Sequence, residues 1–194
     1  MRVVSGKQAK ILSAENVKAL VAYARQTRTP HRNQVMVLLS VKAGLRASEI
    51  ANLTWDMVLD PSSRIAHTIE LRDRAAKKRS GRIIPLHAEL RQALRAWLEV
   101  RPGFGHVVTS ERGGPMRPLS VVIWFANAYH AVGLEGCSSH SGRRTFITRA
   151  ARLVHKAGGS IRDVQLLAGH RSIQTTQRYI DGDTDAQRRL VSLI

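Results

Sequence analysis

The chain has 194 residues, 43% apolar and 23% charged, enough for one hydrophobic core and too apolar for wholesale disorder. Lys and Arg outnumber Asp and Glu by 31 to 14, a formal charge of +17, so a polyanion is the expected partner and nucleic acid the first candidate. A lone Cys137 excludes an internal disulfide, and no paired Cys and His spacing suggests a structural zinc site, which fits a reducing compartment. The N-terminal MRVVSGKQAK lacks the apolar stretch of a signal peptide, and the longest apolar run, 35–41 with Ser40 inside it, is far short of the roughly 20 residues that span a bilayer. A cytoplasmic protein with no membrane partner is expected.

Ser13 is a suitable N-cap, and Val17, Leu20, Val21 and Ala24 recur at helical spacing, so 13–26 is predicted as an amphipathic helix. Pro30 opens a second helix, which carries the apolar run and should end at Gly44. A turn at Leu45 and Arg46 leads into a short helix over 47–53. The segments 64–71 and 81–86 look like strands, with a very basic turn between them. Further helices are expected at 88–99, 119–131, 142–155, 161–168, 173–180 and 184–193, separated by Gly and Pro. The expected class is mainly α with a small antiparallel sheet (α+β). No repeat or flexible linker divides the chain, so 1–194 is expected to form a single domain. Trp55, Trp97 and Trp124 are assigned to the core or its edge, because 5% aromatic content is too little for a platform that stacks single-stranded bases.

Metal catalysis needs clustered carboxylates or histidines, whereas the acids here are scattered and no HExxH occurs. The GxGxxG, phosphate-loop and GxSxG motifs are absent too, so dinucleotide binding, NTP hydrolysis by a P-loop and elbow-type serine hydrolysis lack support. Arg, Lys, His and Tyr remain. They suffice for phosphodiester chemistry without a cofactor, since cations stabilise a pentacoordinate phosphorane, a proton donor serves the leaving oxygen and a tyrosine can attack. These residue types gather in the last third, where His140 and Arg143 lie three apart and Tyr179 follows His170 by nine residues, into the next predicted helix.

Four patterns then occur in order: GLRASEI at 44–50, a basic turn before Arg82-Ile83-Ile84-Pro85-Leu86, His140 to Arg143, and Leu167-Ala168-Gly169-His170 followed by Tyr179. Each is short, but the ordered set resembles the catalytic domain of the tyrosine recombinases, the phage-integrase-like site-specific recombinases. That resemblance implies the DNA breaking-and-rejoining fold. It also implies a reaction that cuts and rejoins double-stranded DNA through a 3′-phosphotyrosyl intermediate, with no metal and no ATP.

By the same resemblance Arg46 and Arg143 grip the scissile phosphate, Tyr179 is the nucleophile, and Lys77 protonates the departing 5′ oxygen, with adjacent Lys78 as the alternative. His140 and His170 donate hydrogen bonds to the phosphate or assist the tyrosine proton. Taken singly, each residue has an ordinary structural explanation, such as a packed tyrosine, a surface arginine or a capping histidine, and only the joint pattern favours catalysis. Arg144 stands where many relatives carry a second histidine, a departure with no necessary bearing on catalysis. The resemblance also implies a homotetramer on DNA, monomeric when free, and a nucleoid location. Family members usually carry an additional N-terminal core-binding domain, yet only 45 residues precede Arg46, so the expectation is a catalytic domain alone, natural or a fragment, with weakened DNA binding. Two other functions are open: supercoil relaxation of the type IB topoisomerase kind, and a non-catalytic DNA-binding regulator on the same scaffold. The C-terminal stripe of Ala186, Leu190, Val191 and Ile194 is expected to dock on a neighbouring protomer or back on its own.

Overall fold

The computed structural model describes residues 9–76, 80–101, 103–179, 191–192 and 194. Among them the helices are α1 (Ala14–Arg25), α2 (Pro30–Lys42), α3 (Ala47–Asn52), α4 (Ala88–Val100), α5 (Pro118–Ala131), α6 (Ser141–Leu153), α7 (Ile161–Ala168) and α8 (Ile173–Gln177). Strands β1 (Thr68–Leu71) and β2 (Arg82–Pro85) form the small antiparallel sheet, in a register that pairs Thr68 with Pro85 and Leu71 with Arg82.

The apolar run of 35–41 explains the centre of the molecule. Every residue from Val35 to Val41 is buried, because α2 is enclosed by α1, α4 and α6 and has no solvent face to present. Ser13 caps α1 as expected, accepting from the Asn16 N–H at 3.1 Å while the Ser13 N–H donates to Asn16 Oδ1. Trp55 and Trp97 are buried, the Trp97 indole N–H donating to the Val107 carbonyl at 2.7 Å, and Trp124 packs at the edge of the core. A smaller apolar cluster joins α6 and α7 through Ile147, Ala151, Val154, Val164 and Ala168, and the Tyr179 ring rests against it.

Two predicted elements differ. The first strand is shorter at its front because Asp60 accepts from the Ser62 and Arg64 N–H groups, and the turn so made pairs Ile65 with Leu59 and leaves only 68–71, as β1, to pair with β2. Helix α8 stops after five residues, so Tyr179 lies beyond its end, in a turn where the Tyr179 N–H donates to the Thr176 carbonyl. The predicted helix at 184–193 lies almost entirely outside the described residues. No described helix is long and apolar enough to cross a membrane.

Candidate active site

Glu49 is the centre from which the site is built. It lies in the first turn of α3, fully buried, and Arg46, the residue just before that helix, donates to it from both its backbone N–H (2.9 Å) and its side chain (2.6 Å). Arg82 at the start of β2 adds two parallel bonds to the same carboxylate, at 3.1 and 3.0 Å, the bidentate geometry that a planar guanidinium favours. Burial opposes the charged carboxylate more than any other single influence, but the hydrogen bonds and charges of Arg82 and Arg46 together outweigh it and hold Glu49 below the usual carboxylate value. The carboxylate therefore stays charged and fixes Arg46 in place.

Arg143, in the first turn of α6, is buried as well and lies 4.0 Å from Glu49. It donates to the Gly44 carbonyl and to the Ala168 carbonyl, each at 2.6 Å, and so ties the approach to α3 to the end of α7. The glycine of GLRASEI has a concrete reason here: Gly44 has φ of +65°, and a Cβ at this point would collide with the Phe146 ring. Gly169 similarly ends α7 with φ of +60°, and its missing Cβ leaves space for Arg82, whose Nε donates to the Leu167 carbonyl at 2.8 Å. Burial first, and then the charges of Arg46 and Arg82, push the Arg143 guanidinium down to about 9, which leaves it a cation at neutral pH.

His170 follows Gly169 and is held at both ends of its backbone by Gln165, which accepts from the His170 N–H and donates to the His170 carbonyl. Its ring stacks on Tyr179, centroids 5.6 Å apart and planes 22° from parallel, and Nδ1 lies 3.0 Å from Thr176 Oγ1. Burial, then the charges of Arg143, Arg46 and Arg82, push the imidazole down to about 4. At neutral pH it is uncharged.

Tyr179 lines a pocket of about 280 Å³ together with Ala9, His140, Arg143, Arg144, Thr175 and Arg178. His140 is exposed at the N-terminus of α6, where its backbone N–H donates to Ser138 Oγ. Thus Arg46, Arg143, His170 and Tyr179 form one connected group, and His140 shares the pocket with Arg143 and Tyr179. Lys77 and Lys78 lie outside the described residues. The last pair of the sheet, Leu71 with Arg82, lies at the site, because Arg82 is bound to Glu49.

Three contributors escape a sequence reading. Glu49 passes as one of several scattered acids although it stands three residues after Arg46 inside GLRASEI, and Arg82 passes as the first letter of a motif. Arg144 enters the pocket and lies over the Tyr179 ring, 5.9 Å from its centroid. Chemically, the pocket presents the fixed Arg143 cation and the Tyr179 phenol, with the neutral His170 imidazole stacked on that phenol, a combination suited to an anionic tetrahedral centre. Among the described residues no set of three His, Cys, Asp or Glu could hold a metal ion.

Known proteins share this arrangement's framework. The chain is 31% identical over 175 residues to the tyrosine recombinase XerA of Thermococcus kodakarensis, which covers 88% of this chain and 57% of that protein. It is 30% identical over 153 residues to the tyrosine recombinase XerC of Pseudomonas syringae pv. tomato, covering 77% and 48%. The chain therefore spans about half the length of these relatives. Among solved structures, a XerA recombinase superposes with a TM-score of 0.74 at 23% identity, over 97% of this chain and 65% of that one. A lambda integrase dimer bound to a COC′ core site gives 0.68 at 21%, over 91% and 49%. With the family model matching residues 10–185, the chain belongs to the phage integrase family.

Proposed function

We propose that this chain carries out the strand cleavage and rejoining of a site-specific DNA recombinase, with Tyr179 as nucleophile and with neither metal nor ATP. The observation that carries the proposal is the placement of Tyr179 on a neutral His170, in a pocket shared with an Arg143 that is fixed by two carbonyls. Duplex DNA is the substrate, drawn by the +17 charge, and the scissile phosphodiester enters the pocket at Arg143.

There the Tyr179 oxygen attacks phosphorus, forming the tyrosyl–phosphate bond, and the bond to the 5′ oxygen breaks. Arg46 and Arg143 neutralise the charge that grows on the nonbridging oxygens, and they do so without reorganising, since Glu49 and two backbone carbonyls already hold them. If His170 donates its Nδ1–H to Thr176 Oγ1, its Nε2 is left to accept the phenol proton. Lys77 gives a proton to the departing 5′ oxygen, and His140 donates a hydrogen bond to the phosphate. Rejoining is the reverse, with a 5′ hydroxyl attacking the phosphotyrosine, so bond energy is conserved and no nucleotide is consumed. Exchange between two duplexes requires four protomers.

The test is a suicide duplex, nicked beside the cleavage position and drawn from DNA flanking the gene. Wild-type protein should form a covalent adduct in EDTA, and Tyr179→Phe should form none. An adduct that needs Mg²⁺, or that persists in the phenylalanine variant, refutes the proposal.

A further inference from the structure

Arg144 has no part in the reaction as described, yet its position demands one. It follows Arg143 on α6, half-buried, and lines the pocket beside His140 and Tyr179. Its guanidinium lies over the Tyr179 ring, where it meets the quadrupole of an aromatic face. Its Nε is shielded from solvent and, among the described residues, has no hydrogen-bond acceptor. Arg143, Arg82 and Arg46 differ in this respect. Arg143 donates to two carbonyls, Arg82 to Glu49 and Leu167, and Arg46 to Glu49.

A buried cationic donor with its hydrogen bond unmade costs free energy that only an acceptor recovers. The pocket that Arg144 lines can supply that acceptor when an anionic oxygen enters it. A guanidinium held on a ring face by a weak attraction can turn towards such an oxygen, and the turn uncovers the ring beneath it.

We propose that Arg144 is a third phosphate-binding arginine of this pocket: an entering phosphodiester oxygen accepts its unmade Nε–H bond, and the guanidinium leaves the Tyr179 ring. The residue therefore couples occupation of the pocket to release of the tyrosine. The inference rests on the reading of Tyr179 as a nucleophile that meets a phosphodiester here.

The probe is the dinucleoside phosphodiester thymidylyl-(3′→5′)-thymidine, titrated into the ¹⁵N-labelled full chain, with arginine Nε–H signals followed by NMR. The Arg144 signal is assigned by its loss in Arg144→Lys, and the Arg46 signal by its loss in Arg46→Lys. The Arg144 signal should shift saturably with the diester, in step with that of Arg46, and the Tyr179 ring signals, assigned with Tyr179→Phe, should move with them. Arg144→Ala should weaken diester affinity by roughly tenfold or more, the loss expected for one hydrogen bond between charged groups. If the Arg46 signal responds and the Arg144 signal does not, the role of Arg144 is overturned while the phosphate pocket stands. If neither responds, the pocket does not take a phosphodiester and both readings fail. The wild-type shifts decide the matter even where Arg144→Ala does not fold.

Discussion

Replacing Glu49 by Gln keeps the shape of the side chain and removes the one negative charge on which three arginines converge. Arg46, with about a fifth of its side chain exposed, can turn to water, but Arg82 and Arg143, at 6% and 5%, cannot. Removing one partner of a buried ion pair costs about 3–5 kcal/mol, because the remaining charge is left buried without compensation. For a domain of this size each kcal/mol lowers the thermal midpoint by about 2–4 °C, so Glu49→Gln should melt roughly 6–20 °C below wild type. Urea titrations followed by far-ultraviolet circular dichroism give the free energy directly. The pH dependence supplies the sign. The folded carboxyl lies below the ordinary value of 4.5, so its stabilisation is full above that value and is lost as pH falls towards the folded one. The gap between wild type and variant should therefore narrow below pH 4.5. A variant within about 1 kcal/mol of wild type, less than the usual cost of orphaning a buried charge, would show that Glu49 does not hold this network. A gap unchanged through acid pH would show the same.

His170 should titrate near 4 when followed by its imidazole proton signals. Since the unfolded ring binds its proton near 6.5, wild type should lose stability relative to His170→Gln as pH falls from 6.5 to 4, and a titration near 6.5 would contradict the burial and charge assigned to this ring. Arg46→Ala should lower the rate of covalent adduct formation by about 10²-fold or more while duplex affinity changes far less, because the charge that Arg46 meets grows in the transition state. Equal losses in binding and cleavage would make it an ordinary phosphate contact. Duplex affinity, followed by fluorescence anisotropy, should fall with salt at a log–log slope of about −0.9 for each phosphate neutralised, and a flat response would contradict a phosphate-facing use of the +17 charge.

Much of this site is legible in the sequence because local chemistry decides it. Ser13 caps, Pro30 opens, and Gly44 and Gly169 close helices through interactions within a few residues, and the buried run of α2 follows from an unbroken apolar stretch. What periodicity cannot register is partnership across the chain. Arg82 and Glu49 are 33 positions apart, and nothing in either neighbourhood marks one as the other's counter-ion. The sequence pattern places Tyr179 inside a helix, but five residues of α8 are too few to establish a period, and its true setting, stacked on His170, depends on the Gly169 turn that brings α7 and α8 together. Arg144 fails for a different reason. Its neighbour on α6 carries the motif, while its own importance comes only from what lies across the pocket.

The placement of a single carboxylate among the arginines also bears on how the proposed reaction is timed. Arg46, Arg82 and Arg143 contribute three positive charges against the one of Glu49, and this excess joins burial in keeping His170 unprotonated. A neutral imidazole stacked on Tyr179 is free to accept a proton, but in that field it holds one poorly. An incoming phosphodiester adds a negative charge beside the arginines, and the phosphorane adds another. Each cancels part of the field, so the affinity of His170 for a proton rises as the phenol must give one up. The buried cations would thus serve twice. In the proposed reaction they would stabilise the oxygens of the transition state, and their neutralisation by those oxygens would strengthen the base. A second carboxylate among these arginines, or a missing arginine, would weaken both effects together, so the balance at Glu49, rather than the number of basic residues in the chain, bears on what this site can do.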